Sequence, residues 1–167
     1  MKARINELEL KALYDISQII GQALDLDKTL ERVLEILSLD LFMKRATVTL
    51  LNPETEQLII AASHGLSIEE RVRGVYCPDE GVTGRIFTDS EPYVAPDISR
   101  DSLFLNKTGA RSIDKGKTSF MGVPISLHGA TIGVLSVDRL FDDEVSFEED
   151  IRFLSILSAL ISQLVSI

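Results

Sequence analysis

Residues 109–118, GARSIDKGKT, end in Gly-Lys-Thr, the closing residues of a phosphate-binding P-loop. That loop needs a glycine where Arg111 stands, a strand before it and a helix after it. Here a loop precedes and a strand follows, so the match reads as coincidence. Two histidines, His64 and His128, and the single Cys77 fall short of a structural zinc site. His128 sits in a two-residue turn with Gly129, and His64 at a strand end beside Gly65, so both read as structural or surface residues. Cys77 precedes Pro78 in a loop, with no evident neighbour to lower its thiol pKa. No G-x-S-x-G nucleophile motif occurs. The acidic cluster Glu148-Glu149-Asp150 falls in the first turn of a helix, where carboxylates favour the dipole without any catalysis. One constellation remains. Asp79-Glu80-Gly81-Val82-Thr83-Gly84-Arg85 puts two glycines at a helix start, where free backbone N–H groups suit an anion. The alternative is that these glycines only turn the chain.

The elements that would hold this constellation follow from periodicity and punctuation. Ile5, Leu8, Ala12, Ile16, Ile19 and Ala23 advance by threes and fours, predicting a helix over about 4–24. Asp25 or Asp27 caps a second helix, 28–42, with Leu30, Val33, Leu34 and Leu37 inward. Residues 46–51 and 57–62 form a hairpin about Asn52-Pro53. Ser67-Ile68-Glu69-Glu70 is a capping box opening a short helix. The stretch 74–117 holds five of the ten glycines and reads mostly as loop, with a helix at 82–88 and a short strand at 93–95. Residues 119–127 and 131–138 form a second hairpin about His128-Gly129. Ser146 with Glu149 begins a last helix over 147–167. Two hairpins without βα alternation predict an α+β fold, with helices packed on an antiparallel sheet.

Composition removes several function classes. Seventeen Lys and Arg against 26 Asp and Glu leave a net charge of −9, with no basic run to meet nucleic-acid phosphates. One cysteine excludes an internal disulfide framework and fits a reducing, cytoplasmic setting. No apolar stretch approaches the ~20 residues that span a bilayer, so no membrane partner is expected. Both terminal helices carry a second apolar flank: Leu10, Leu13, Ile20 and Leu24 on the first, Phe153, Ile156, Leu160 and Ile167 on the last. Such flanks predict a homodimer through the terminal helices, against the alternative that one monomer buries both. The chain stops at Ile167 without a helix stop signal, which predicts that it is a fragment of a longer regulator.

The run EGVTGRIFTDSEPYVAPDISRDSLFLNKTG (80–109), then SFMGVPI (119–125), IGVLSVDRLF (132–141) and VSFEEDIRFL (145–154), resembles a GAF domain. It resembles in particular the N-terminal GAF domain of NifA-type sigma-54-dependent transcriptional activators. The resemblance covers essentially the whole chain, so residues 1–167 are expected to form a single GAF domain. It implies a six-stranded antiparallel sheet, with N- and C-terminal helices on one face and a loop-covered ligand pocket on the other. It also implies a regulatory role: sensing a small molecule or regulatory protein and controlling a downstream AAA+ domain in nitrogen-fixation-type transcription. Partners implied are a PII-type or NifL-type regulator, and the ligand 2-oxoglutarate or a similar small anion. The candidate anion contacts are Thr83, Gly84 and Arg85 at the helix start, with Asn106, Lys107 and Ser119 nearby. Two other readings stay open: an interaction and dimerisation module with a vestigial pocket, or a GAF sensor of a histidine kinase or chemotaxis receptor. A methionine sulfoxide reductase of the same fold would need several cysteines, so no enzyme activity is expected.

Overall fold

The computed structural model describes residues 2–22, 25–41, 43–105, 107–108, 118–140 and 147–165. The alternation of Ala46 and Val48 with Thr47 and Thr49 gives strand β1 (Met43–Asn52) two distinct faces. Its hairpin partner β2 is Gln57–His64, and a second hairpin joins β4 (Thr118–Leu127) to β5 (Ala130–Leu140). The β4–β5 turn has positive φ at both His128 (52°) and Gly129 (82°), the geometry that suits the twist of a tight hairpin. A short β3, Tyr93–Ala95, completes one antiparallel sheet in the order β2-β1-β5-β4-β3.

The sheet has five strands among the described residues, where six were expected. Beside the outer edge of β2, the chain makes only an isolated bridge between Leu58 and Tyr76. Two hydrogen bonds hold it, Leu58 N to Tyr76 O at 2.7 Å and Tyr76 N to Leu58 O at 3.0 Å. Pro78 has no N–H to donate, so pairing cannot run on past this point.

Helices α1 (Lys2–Gly21), α2 (Leu26–Leu41) and α5 (Phe147–Val165) cover one face of the sheet. Asp25 caps α2, its Oδ1 accepting from Lys28 N at 3.2 Å. As the spacing requires, Leu30, Val33, Leu34 and Leu37 are buried, together with Ala12 and Ile16 of α1 and Leu154, Leu157 and Ile161 of α5. Met121, Val123, Leu135 and Val137 rise from the sheet to meet them. The second flanks divide. Phe153 is buried and Leu13 and Ile20 pack partly buried against the core, whereas Leu10 and Ile156 remain 70% and 49% exposed; Tyr14, outside the expected flank, is 64% exposed. Ala23, Leu24 and Ile167 lie outside the described residues.

The opposite face carries α3 (Ile68–Arg73) beside β2, and α4 (Gly81–Asp89) across β4 and β5. The Ser67–Glu70 capping box forms as expected: Ser67 Oγ accepts from Glu70 N at 3.1 Å, and Glu70 Oε1 accepts from Ser67 N at 2.8 Å. Ser146, expected to cap α5, lies outside the described residues. Val82, Ile86, Ala95, Ile98, Phe120 and Val134 form a smaller core under α4. Gly122 lets α4 approach: a Cβ there would stand 2.6 Å from Ile86 Cδ1. No helix among the described residues is long and apolar enough to cross a membrane.

Candidate functional site

On the face turned away from the terminal helices, strand pairing aligns side chains into rows. Thr47 of β1 is opposite Ser63 of β2 on one side and Ser136 of β5 on the other. One row along, Thr49 is opposite Val134. Thr47, Thr49, Ser136 and, from α4, Thr83 are buried, and all four line one cavity. The cavity encloses about 20 Å³ and is roofed by Val82, Phe104, Leu105 and Thr108, with Tyr76 in its wall. A polar space of that size holds a single water. Phe104 closes it from one side, its ring edge-on to Phe120 at 5.3 Å between centroids.

The segment carrying Phe104 to Thr108 is tied down at two points. Arg73 Nε donates to Thr108 O at 2.9 Å. Lys107 Nζ donates to Val75 O at 2.8 Å and to Glu80 Oε1, and lies 5.1 Å from the centre of the Tyr76 ring. The Lys107 hydrogen bond, with a second from Cys77 N–H, holds the Glu80 carboxyl below its ordinary range.

The six residues singled out by sequence take different places. Thr83 lines the cavity, and Lys107 lies outside the lining, over the ring of Tyr76, which is part of it. Gly84 is buried in the α4 start, but its N–H already donates to Glu80 O at 2.9 Å, and its carbonyl accepts from Asp79 N at 3.2 Å. A Cβ at Gly84 would meet Cys77 O at 2.8 Å, so this glycine serves a close backbone approach. Arg85 is exposed and paired one turn along its own helix, Nε to Asp89 Oδ2 at 2.9 Å. Ser119 is fully buried outside the cavity lining, its hydroxyl donating to Pro96 O at 2.5 Å. Asn106 lies outside the described residues. The sequence reading passed over Thr47, Thr49 and Ser136, although a threonine at every second position of an otherwise apolar strand is a visible signal.

At one end of the same face, Asp138 and Arg45 are opposite each other and form a buried ion pair, Nη1 to Oδ2 at 3.2 Å. Nearby, burial first and then a 2.8 Å hydrogen bond to Asp101 push the Tyr93 hydroxyl pKa up. Among the described residues no cluster of three or more His, Cys, Asp or Glu could hold a metal ion.

Comparison with known proteins bears on this geometry. The family model described as "GAF domain" matches residues 23–166. The Nif-specific regulatory protein of Azospirillum lipoferum is 39% identical over 168 residues, covering 99% of this chain and 27% of that protein. The nitrogen fixation protein VnfA of Azotobacter vinelandii is 33% identical over 160 residues, covering 95% of this chain and 31% of that protein. This chain therefore spans about a third or less of the relatives it matches. The crystal structure of the A. aeolicus nlh2 GAF domain in an inactive state aligns with a TM-score of 0.85 at 25% identity, over 97% of this chain and 98% of that one. Five antiparallel strands between terminal helices and a roofed, hydroxyl-lined face thus sit on a family match across most of the sequence, and the chain belongs to the GAF domain family.

Proposed function

We propose that this GAF domain is the sensory part of a nitrogen-fixation-type transcriptional regulator. It takes up a small molecule, or the signal of a PII-type or NifL-type regulatory protein, and controls a downstream AAA+ domain of the sigma-54 activator class. The observation that carries this reading is the group of four hydroxyl-bearing residues, Thr47, Thr49, Thr83 and Ser136, buried and lining one cavity. Polar groups in the interior are ordinarily hydrogen-bonded, so hydroxyls gathered about one space suit water or a polar ligand there. A ligand larger than water needs the Phe104–Thr108 roof to lift, and Lys107 then exchanges Glu80 for the incoming group. A small dicarboxylate such as 2-oxoglutarate fits that exchange, with Lys107 and Thr83 as its first contacts. Gly84, Arg85, Asn106 and Ser119 stay as outer candidates. The ligand acts only through its different affinity for the closed and open arrangements. Calorimetry of the 167-residue chain with 2-oxoglutarate tests this: saturable heat that Lys107→Ala weakens supports it, and no heat at millimolar ligand overturns the small-anion part.

The cavity of about 20 Å³ favours a second reading, a domain whose pocket is filled by its own side chains and which works by protein contact. The exposed Leu10, Tyr14 and Ile156 then serve a homodimer through the terminal helices. Dimerisation without ligand uptake distinguishes this reading from the first.

A further inference from the structure

On the helical face, three charged residues meet where α1, α5 and β5 converge. Glu9 of α1, Asp150 in the first turn of α5 and Arg139 of β5 are 7%, 1% and 8% exposed. Arg139 Nη2 lies 3.4 Å from Asp150 Oδ2, and the Glu9 and Asp150 carboxyls are within hydrogen-bonding reach of each other. An ionised carboxylate only accepts hydrogen bonds, so two of them cannot bond to each other without a proton between them. One guanidinium also cannot balance two buried carboxylates. Glu9 carries the proton, because Asp150 is the carboxyl in contact with Arg139. Burial first, then the Asp150 charge, push the Glu9 carboxyl up to about 8. Glu149 of α5 adds to the rise and Arg139 opposes it. From α2, the other element packed on α1, Val33 and Leu37 enter the core, and Thr29 is buried as well. Glu9 Oε2 has no hydrogen-bond partner among the described residues.

We propose that Glu9, Asp150 and Arg139 form a proton-dependent latch that holds α1 against β5 and α5, and that loss of the Glu9 proton releases α1. The helix concerned precedes the residues matched by the family model, which begin at 23. Its release would uncover Ala12 and Ile16, both buried against the core. The latch needs no ligand, so it stands or falls independently of the sensor reading.

The sign follows from linkage. Free of the core, Glu9 titrates near its ordinary 4.5, and docked it titrates near 8. Between those values the docked helix holds a proton that the released helix has lost. Each unit of rising pH there favours release by about tenfold, and the effect levels off above the docked value. Hydrogen exchange of the α1 amides in the 167-residue chain, corrected for intrinsic rates, reads this directly. Across pH 5.5–8, wild-type α1 protection is expected to fall up to about tenfold per unit while β4 and β5 hold steady. Glu9→Gln, which keeps a donor toward Asp150 and cannot ionise, is expected to flatten the profile. Parallel profiles in the two proteins overturn the latch. Carbon-detected NMR titration of the wild-type Glu9 carboxyl needs no variant: a midpoint near 8 supports the proposal, and one near 4.5 overturns it.

Discussion

Thr47 and Ser136 stand directly opposite each other on neighbouring strands, both buried, and both line the cavity on the side of the sheet away from the terminal helices. Their register partners one position along, Val48 and Leu135, face the main core. The two faces of β1 and β5 therefore separate the main apolar core from a face where buried hydroxyls lie beside a smaller apolar cluster. The predictions below test that separation.

Thr49 is 2% exposed and lines the cavity. Thr49→Val replaces a cavity-lining hydroxyl by a methyl of similar volume, and is expected to keep or raise stability by up to about 1 kcal/mol. Urea unfolding checks this, and calorimetry on the same variant reads whether ligand uptake is lost. A fall in stability would mean that the hydroxyl is bonded through a held water.

Gly84 and Arg85 are neighbours with opposite expectations. Gly84→Ala forces a Cβ within 3 Å of the 77–79 backbone and is expected to cost about 1–3 kcal/mol. Arg85→Ala removes an exposed pair with Asp89 and is expected to change stability by no more than about 0.5 kcal/mol. Comparison of urea midpoints at constant slope tests both.

Asp138 is 1% exposed and carries the charge opposite Arg45. Asp138→Ala leaves a buried guanidinium without this carboxylate, a loss that typically costs about 3–5 kcal/mol. Thermal unfolding reads the size of the loss. The double variant with Arg45→Met is expected to recover part of it, because no buried charge then remains at that place.

Leu10 and Tyr14 lie four residues apart on the exposed side of α1. If the terminal helices pair two copies, Leu10→Glu with Tyr14→Glu is expected to convert a dimer to a monomer without lowering the thermal midpoint of the monomer. Sedimentation velocity over a concentration series distinguishes the species. A monomeric wild-type chain sinks the dimer.

Three carboxyls are held below their ordinary values: Glu70 by the Ser67 backbone N–H, Glu80 by Lys107, and Asp97 by the Ser99 hydroxyl. Each binds its proton less readily folded than unfolded. Their stabilisation is complete above the unfolded values, 4.5 for Glu and 3.8 for Asp, and is lost as pH falls through the lower folded values. Urea midpoints taken from pH 6 to pH 3 are expected to fall on the acid side, and less steeply in Glu80→Gln. An unchanged acid slope in that variant would separate Glu80 from the effect.

Much of the fold was legible because local rules and long-range packing agree. Asp25 and Ser67 cap the helices their types announce, and His128-Gly129 makes the turn its position requires. That the described residues form five strands and not six was not legible in the sequence. Tyr76 does pair with Leu58, but Pro78 stops that pairing after one bridge, and whether an edge extends depends on a neighbour distant in the chain. Arg85 reads as an anion candidate because it follows two glycines at a helix start. Its pairing with Asp89, one turn along the same helix, is a second consequence of the 3.6-residue period.

By itself, the sequence determined the element types, the hairpins, the apolar faces and the family, all of which are written in spacing along one chain. Tertiary structure alone decided which polar groups come together. Thr47 meets Ser136, Lys107 meets Glu80, and Glu9 meets Asp150 across separations of 89, 27 and 141 positions. The physical reason is that sheet register and helix docking are set by the burial of the whole apolar core, and the polar groups are carried to their partners by it.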